Sequence, residues 1–231
     1  MPLILNIETS TEICSVCLSK GKEVIAIRET TENFVHAEII TLQIAACLTE
    51  AKVNMHDLDA IAVSAGPGSY TGLRVGTSTA KGICFALDKP LLTIDTLTSL
   101  ARASQEEGGE VNSLYCPMID ARRMEVYTSL YDERLKMIAP VHALILREDS
   151  FDKYFNEEHK IIFSGNANQK IQDLYPAAYA KFSSIRCSSK HLVPLSIQAF
   201  REKKFTDIAY FSPNYLKSPN ITVSKKKGIT G

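Results

Sequence analysis

The chain begins the same way twice. Residues 3–29 hold three consecutive short apolar strands, "LILNIE" (3–8), "CSVCLS" (14–19) and "EVIAIRE" (23–29), before any helical pattern appears. Residues 114–146 repeat the plan with "LYCPMIDA" (114–121), "MEVYTSLYD" (124–132) and "MIAPVHALIL" (137–146). The first strand of each half ends in an acid, Glu8 in "NIETS" and Asp120 in "MIDAR". The repeat is one of topology rather than of sequence, and it predicts two α/β lobes facing one another across a cleft.

Helix follows the strands in both halves. A helical pattern runs from about Asn33 to Lys52, with Asn33 as its N-cap. Then come a buried strand in "LDAIAVSAG", a helix opened by a glycine-rich segment, a strand in "PLLTID" and a helix from "TLTSLARAS". The second half continues with helix in "SFDKYFNE", strands in "KIIFSGNA" and "SSIRC", and helix in "LVPLSIQAFREKK". Between the halves, "QEEGGEVNS" (105–113) is polar with paired glycines, which places the boundary there and gives lobes of 1–106 and 107–231. At 231 residues such a chain suits one domain or two small ones.

The stretch "SAGPGSYTGLRVGTSTAKG" (64–82) has the look of a phosphate loop, with Gly66, Pro67, Gly68 and Gly72 at a strand-to-helix turn. It misses both sharp tests. The G-x-x-x-x-G-K-[ST] pattern finds Lys81 where its second glycine belongs, and Gly66, Gly68 and Gly72 are spaced GxGxxxG rather than GxGxxG. Two readings stay open: backbone N–H groups offered to an anion, or a tight turn that lets the helix pack closely. Along that helix Gly72, Gly76, Ala80 and Cys84 recur every four residues as a small stripe, which costs helix stability and makes sense only if something approaches closely.

The preceding helix carries two apolar stripes. Val35, Ile39, Leu42, Ala46 and Val53 fall on one face, and Ala37, Ile40, Ile44, Cys47, Leu48 and Ala51 on nearly the opposite one. A surface helix shows one stripe, so two imply burial on both sides, by the sheet and by a second chain.

The duplicated βββαβαβα plan resembles the actin-like ATPase and sugar-kinase superfamily, a ribonuclease H-like, two-lobed α/β fold. In order along the chain, "LNIETSTEICSVCL", "AVSAGPGSYTGLRVGTSTAKGICFALDKPL", "MIDARRMEVY" and "FSPNYLK" resemble the TsaB (YeaZ) family of bacterial tRNA threonylcarbamoyladenosine (t6A) biosynthesis proteins. The likeness is strongest up to about residue 130 and thin between about 135 and 205.

The resemblance implies a non-catalytic, cytoplasmic subunit without cofactor. It would pair with TsaD as a heterodimer, act with TsaE through the complex, and form a homodimer when TsaD is absent. The complex transfers threonylcarbamoyl from its adenylate, supplied by TsaC, to the adenosine beside the anticodon of ANN-reading tRNAs. tRNA is then a substrate of the complex only. The pairing surface is expected on the first lobe's two helices, at Ala37, Ile40, Ile44, Leu48, Gly72, Gly76 and Ala80. TsaD carries a metal-binding histidine pair after the corresponding next strand, where this chain reads "TIDTLTSLARA" (93–103). The five histidines, at 36, 56, 142, 159 and 191, include no pair four apart, so no helical two-histidine metal site is available. That removes a glycoprotease-like metalloenzyme. An active kinase or hydrolase would need a glycine-rich adenosine motif in the second lobe, where "FSGNANQK" offers one glycine.

Charge and cysteines agree with that class. Lys+Arg and Asp+Glu are both 26, so the chain lacks the basic excess of an autonomous nucleic-acid binder. The six cysteines are scattered in apolar segments and read as thiols of a reducing compartment; "CSVC" has no second pair for zinc, and on a strand its cysteines face opposite ways. "MPLILNIETS" is not read as a signal peptide, and no apolar run reaches the ~18 residues of a membrane span.

Of the remaining polar residues, Glu8, Thr9, Ser10 and Asp120 are candidates for a residual nucleotide or composite site, or for strand-end hydrogen bonding. Arg74 needs a specific partner, a carboxylate in the lobe or across the interface, and His36 is read as a surface residue. Arg122 and Arg123 touch RNA phosphate or an acidic partner, or are solvated. Lys225, Lys226 and Lys227 either assist RNA binding or are simply solvated.

Overall fold

The computed structural model describes residues 1–31, 35–108, 112–172, 174–175 and 178–217. Asn33 and Lys225–Lys227 lie outside the described residues. Among the described residues ten strands form two five-stranded sheets of identical plan. In the first, β1 (Leu3–Glu8) pairs antiparallel with β2 (Cys14–Lys20), which pairs antiparallel with β3 (Glu23–Thr30). On its other side β1 pairs parallel with β4 (Ala60–Ser64), which pairs parallel with β5 (Leu91–Ile94). The second sheet repeats this with β6 (Ser113–Asp120), β7 (Glu125–Tyr131), β8 (Met137–Ile145), β9 (Lys160–Ser164) and β10 (Ala180–Phe182).

β1 is central and covered on both faces, which is why it is apolar almost throughout. Leu5 and Ile7 face the core built with α1 (His36–Ala51) and α2 (Tyr70–Leu87). Ile4 faces α5 (Ser189–Arg201), where Leu192, Val193 and Ile197 are buried. Buried Asn6 shares that side; Ser196 Oγ donates to its Oδ1 at 2.8 Å, and its own Nδ2 donates to Ser19 Oγ at 3.1 Å. Cys14 and Cys17 fall in the two opposite cores, as strand alternation requires.

The helices cross the boundary between the halves. α3 (Thr96–Gly108) follows β5 but lays Leu97, Leu100 and Ala101 against Ile119, Tyr115 and Ile162 of the second sheet. α5 returns from the second half to cover the first sheet. Short α4 (Asp152–Asn156) packs Phe155 with Phe151, Phe163 and Tyr175 in an aromatic cluster. "SSIRC" is not a strand. The Ser183 and Ser184 hydroxyls donate to the Glu107 carboxylate of α3, and pairing with β9 stops at Phe182.

Candidate functional site

The glycine-rich turn and the β1–β2 turn fold into one another. Glu8, Thr9, Ser10 and Thr11 are all buried. A Cβ on Gly68 would strike the Ser10 carbonyl, one on Gly72 the Thr9 carbonyl, and one on Gly76 the Thr9 hydroxyl. The Ser69 amide donates to the Ser10 carbonyl oxygen at 2.7 Å. Ser69 also caps α2, its hydroxyl accepting from the Gly72 amide at 3.3 Å. The space an anion would take at this helix start is therefore filled by the Thr9–Ser10 backbone. The glycines remove side chains so that backbone can meet backbone.

The late "FSPNYLK" segment closes the turn from outside. Gly66, at φ +94, lies against the Asn214 carbonyl, and the Asn214 amide donates to the Ala65 carbonyl at 2.8 Å. The Tyr215 ring meets Tyr70 at 4.8 Å, and Lys81 Nζ donates to the Phe211 carbonyl at 3.1 Å. Arg74 lies over the Tyr70 ring, 5.3 Å from its centroid. Among the described residues no carboxylate pairs with Arg74, so the carboxylate partner expected within the lobe is not found.

The two strand-end acids occupy different surroundings. Burial pushes the Glu8 carboxyl above its ordinary value, although the Ser10 amide donates to it at 2.7 Å. Asp120 is exposed, and its Oδ1 accepts from Lys170 Nζ at 2.6 Å and from the Arg122 amide at 2.5 Å. The link across the lobes runs through other residues. The Asp120 amide donates to Asn166 Oδ1 at 2.9 Å, and Asn166 Nδ2 donates to Glu12 Oε2 at 2.6 Å. Glu12, Asn166 and Lys170 were not singled out by sequence reasoning. Nothing local in their neighbourhoods signals them, because their partners lie 154 and 50 residues away.

In the 93–103 segment Asp95 is the one residue of metal-ligating type. Its Oδ1 caps α3, accepting from the Thr98 amide at 2.7 Å and hydroxyl at 2.8 Å. This donor set does not suit a metal. Among the described residues no three His, Cys, Asp or Glu side chains come together. All six thiols are buried, and desolvation pushes those of Cys17, Cys84 and Cys116 up to about 12. His36 is buried rather than on the surface. Among the described residues no helix is long and apolar enough to cross a membrane.

The expected pairing surface needs correction. Ile40, Ile44 and Leu48 are the core face of α1, packed with Leu5, Val16 and Ile61; of that set only Ala37 is exposed. Gly72 and Gly76 face Thr9, and Ala80 is fully buried. Two apolar stripes do not say which one meets the sheet: Ile40, Ile44, Cys47 and Leu48 are buried in the core, and Ile39 and Val53 of the other stripe are partly buried against it. The outward surfaces carry Ala37, Thr41, Leu42 and Ala45 on α1, and Ser78, Gly82, Phe85 and Ala86 on α2. Leu42 is 68% exposed and Phe85 81%. Residues 39–49 contain no charge, nor do 82–87. Phe85 was missed; the charge-free runs were the available signal.

The sequence model of the family described as TsaD, tRNA N6-adenosine threonylcarbamoyltransferase, matches residues 31–225. A tRNA threonylcarbamoyladenosine biosynthesis protein TsaB from Bacillus subtilis is 28% identical over 219 residues, covering 93% of each chain. The solved structure of YeaZ from Pseudomonas aeruginosa superposes with a TM-score of 0.77 at 26% identity, covering 94% of this chain and all of that one. An activator of 2-hydroxyisocaproyl-CoA dehydratase from Clostridium difficile, solved with bound ADPNP, shares the two-lobed actin-like fold at a TM-score of 0.50 and 9% identity, over 87% of this chain and 96% of that one.

Proposed function

The chain belongs to the TsaD, tRNA N6-adenosine threonylcarbamoyltransferase, family, and from that premise we propose that it serves tRNA t6A biosynthesis as a non-catalytic subunit that pairs with a TsaD transferase. The observation that carries this reading is the filled turn. A nucleotide phosphate at the start of α2 would have to displace the Thr9–Ser10 backbone, which is buried and bonded to Ser69. Asp120, the opposing acid, is engaged by Lys170. A chain so arranged contributes surface rather than chemistry.

The surface it contributes is the outer side of α1 and α2. Small uncharged residues let another helix approach closely, and Leu42 and Phe85 project as anchors. The same surface serves a homodimer when the transferase is absent, and TsaE and tRNA meet the chain within the complex. These steps take place in the cytoplasm.

Light scattering of the chain alone and mixed with the TsaD of its own organism tests the proposal. A dimer that exchanges into a one-to-one heterodimer is expected, with no ATP turnover by the chain alone. A monomer that ignores TsaD, or steady ATP hydrolysis by the isolated chain, overturns it.

A further inference from the structure

We propose that the tip of the β6–β7 hairpin, Arg122 and Arg123, contacts phosphate groups of an RNA backbone. These two consecutive residues both adopt left-handed conformations, at φ 72° and 52°. Asparagine and glycine take such positions readily, whereas an arginine with its Cβ is strained there. The Arg122 amide's bond to Asp120 Oδ1 at 2.5 Å helps to fix the tip. A turn that needed only to reverse the chain would not require two arginines, and strain held at an exposed tip directs attention to what the side chains do.

The charge around the tip is arranged to leave the guanidinium groups free. Of the two carboxylates on the hairpin, Asp120 is paired with Lys170, and Glu125 with Lys217. Among the described residues neither Arg122 nor Arg123 has an ion-pair partner, and both are exposed. Four cations thus stand against two carboxylates in a chain whose formal net charge is zero. The excess is local. Guanidinium groups bind phosphate through paired donors. An exposed tip encloses nothing, so a polyanion presenting successive phosphates fits it better than a free nucleotide that needs a pocket. The choice of RNA rests on the t6A role proposed above.

The test measures tRNA binding by the full-length chain, alone and mixed with TsaD, between 50 and 200 mM salt, together with thermal unfolding. The double variant Arg122→Asn, Arg123→Gly accepts the left-handed turn. It is expected to unfold higher by roughly 2–8 °C per relieved residue. It should bind tRNA more weakly, with the slope of log K against log salt shallower by about 1.4–1.8, the share of two phosphate contacts. Arg122→Lys with Arg123→Lys should keep the slope without the thermal gain. An unchanged slope in both forms overturns the inference and leaves TsaD pairing intact. So does loss of TsaD binding with tRNA affinity unaltered, which would make the tip a protein contact. Wild type that binds no tRNA in either form also overturns it. A wild-type chain that ignores TsaD but binds tRNA through these arginines removes the pairing reading instead.

Discussion

Gly76 and Gly82 lie six residues apart on α2, and Gly→Ala should act on them in opposite directions. On propensity alone each substitution gains about 1 kcal/mol in a helix interior. At Gly82 nothing lies within 4 Å of the new methyl, so the gain is realised. At Gly76 the methyl would overlap the Thr9 hydroxyl, and Thr9 Cβ and Cγ2 follow at 3.3 and 3.4 Å. Thr9 cannot swing aside: it is β-branched, fully buried and part of the turn whose Ser10 carbonyl accepts from Ser69. Forcing a methyl into such a contact costs about 1–3 kcal/mol. That penalty is also the expected gap between the two variants, because the propensity gain is common to both. For a chain of this size it amounts to roughly 2–12 °C in thermal midpoint. Calorimetry of the two single variants beside wild type reads it directly. If Gly76→Ala rises as far as Gly82→Ala, the β1–β2 turn is not packed on α2, and the argument for a filled phosphate site fails with it.

Leu42→Asp should leave thermal stability within about 0.5 kcal/mol of wild type while abolishing pairing with TsaD, read by light scattering. Ile44→Asp, on the core face, should unfold the chain at a cost of several kcal/mol; a stable Ile44→Asp that merely fails to pair would return the interface to that face. Glu8→Gln should match wild type below the ordinary carboxyl value and exceed it once pH rises above that value. The raised carboxyl holds its proton in the fold, so wild-type stability falls as pH rises above the ordinary value, by about 1.4 kcal/mol for each unit of elevation. His191 works from the acid side. Burial lowers its imidazole to about 4, so stability is lost as pH falls from 6.5 toward 4, and His191→Gln should flatten that part of a pH titration of unfolding.

The strands and helices were legible because each is written locally. β1 is a short apolar run ending at Glu8, and α2 opens at Ser69 where a capping hydroxyl precedes the helix. What could not be read was which side of an element meets what. α1 has apolar residues on two faces, and periodicity weighs them equally. The fold separates them by burying Ile40, Ile44 and Leu48 while leaving Leu42 exposed. The small stripe of α2 announced a close neighbour without naming it. The neighbour is Thr9, 63 residues before Gly72, and no local pattern encodes that contact. The acids were visible as strand ends, but the bridge of Asp120, Asn166 and Glu12 depends on how the lobes meet. "SSIRC" misled because its apolar residues follow two serines that turn to Glu107.

α3 and α5 each roof the sheet of the opposite half, and that exchange limits how the molecule can move. A jaw opens when a narrow waist separates two bodies, each with its own cover. Here α3 would travel with the second sheet and α5 with the first, so spreading the lobes would pull on the chain links into both helices and break the Asn166–Glu12 bridge. Lys217, the last described residue, adds a further stitch by reaching Glu125 after its segment has lain along α2. A partner that docks on the outside of α1 and α2 meets the first lobe, whereas the Arg122–Arg123 tip belongs to the second, so the two surfaces are coupled only through the links between the lobes.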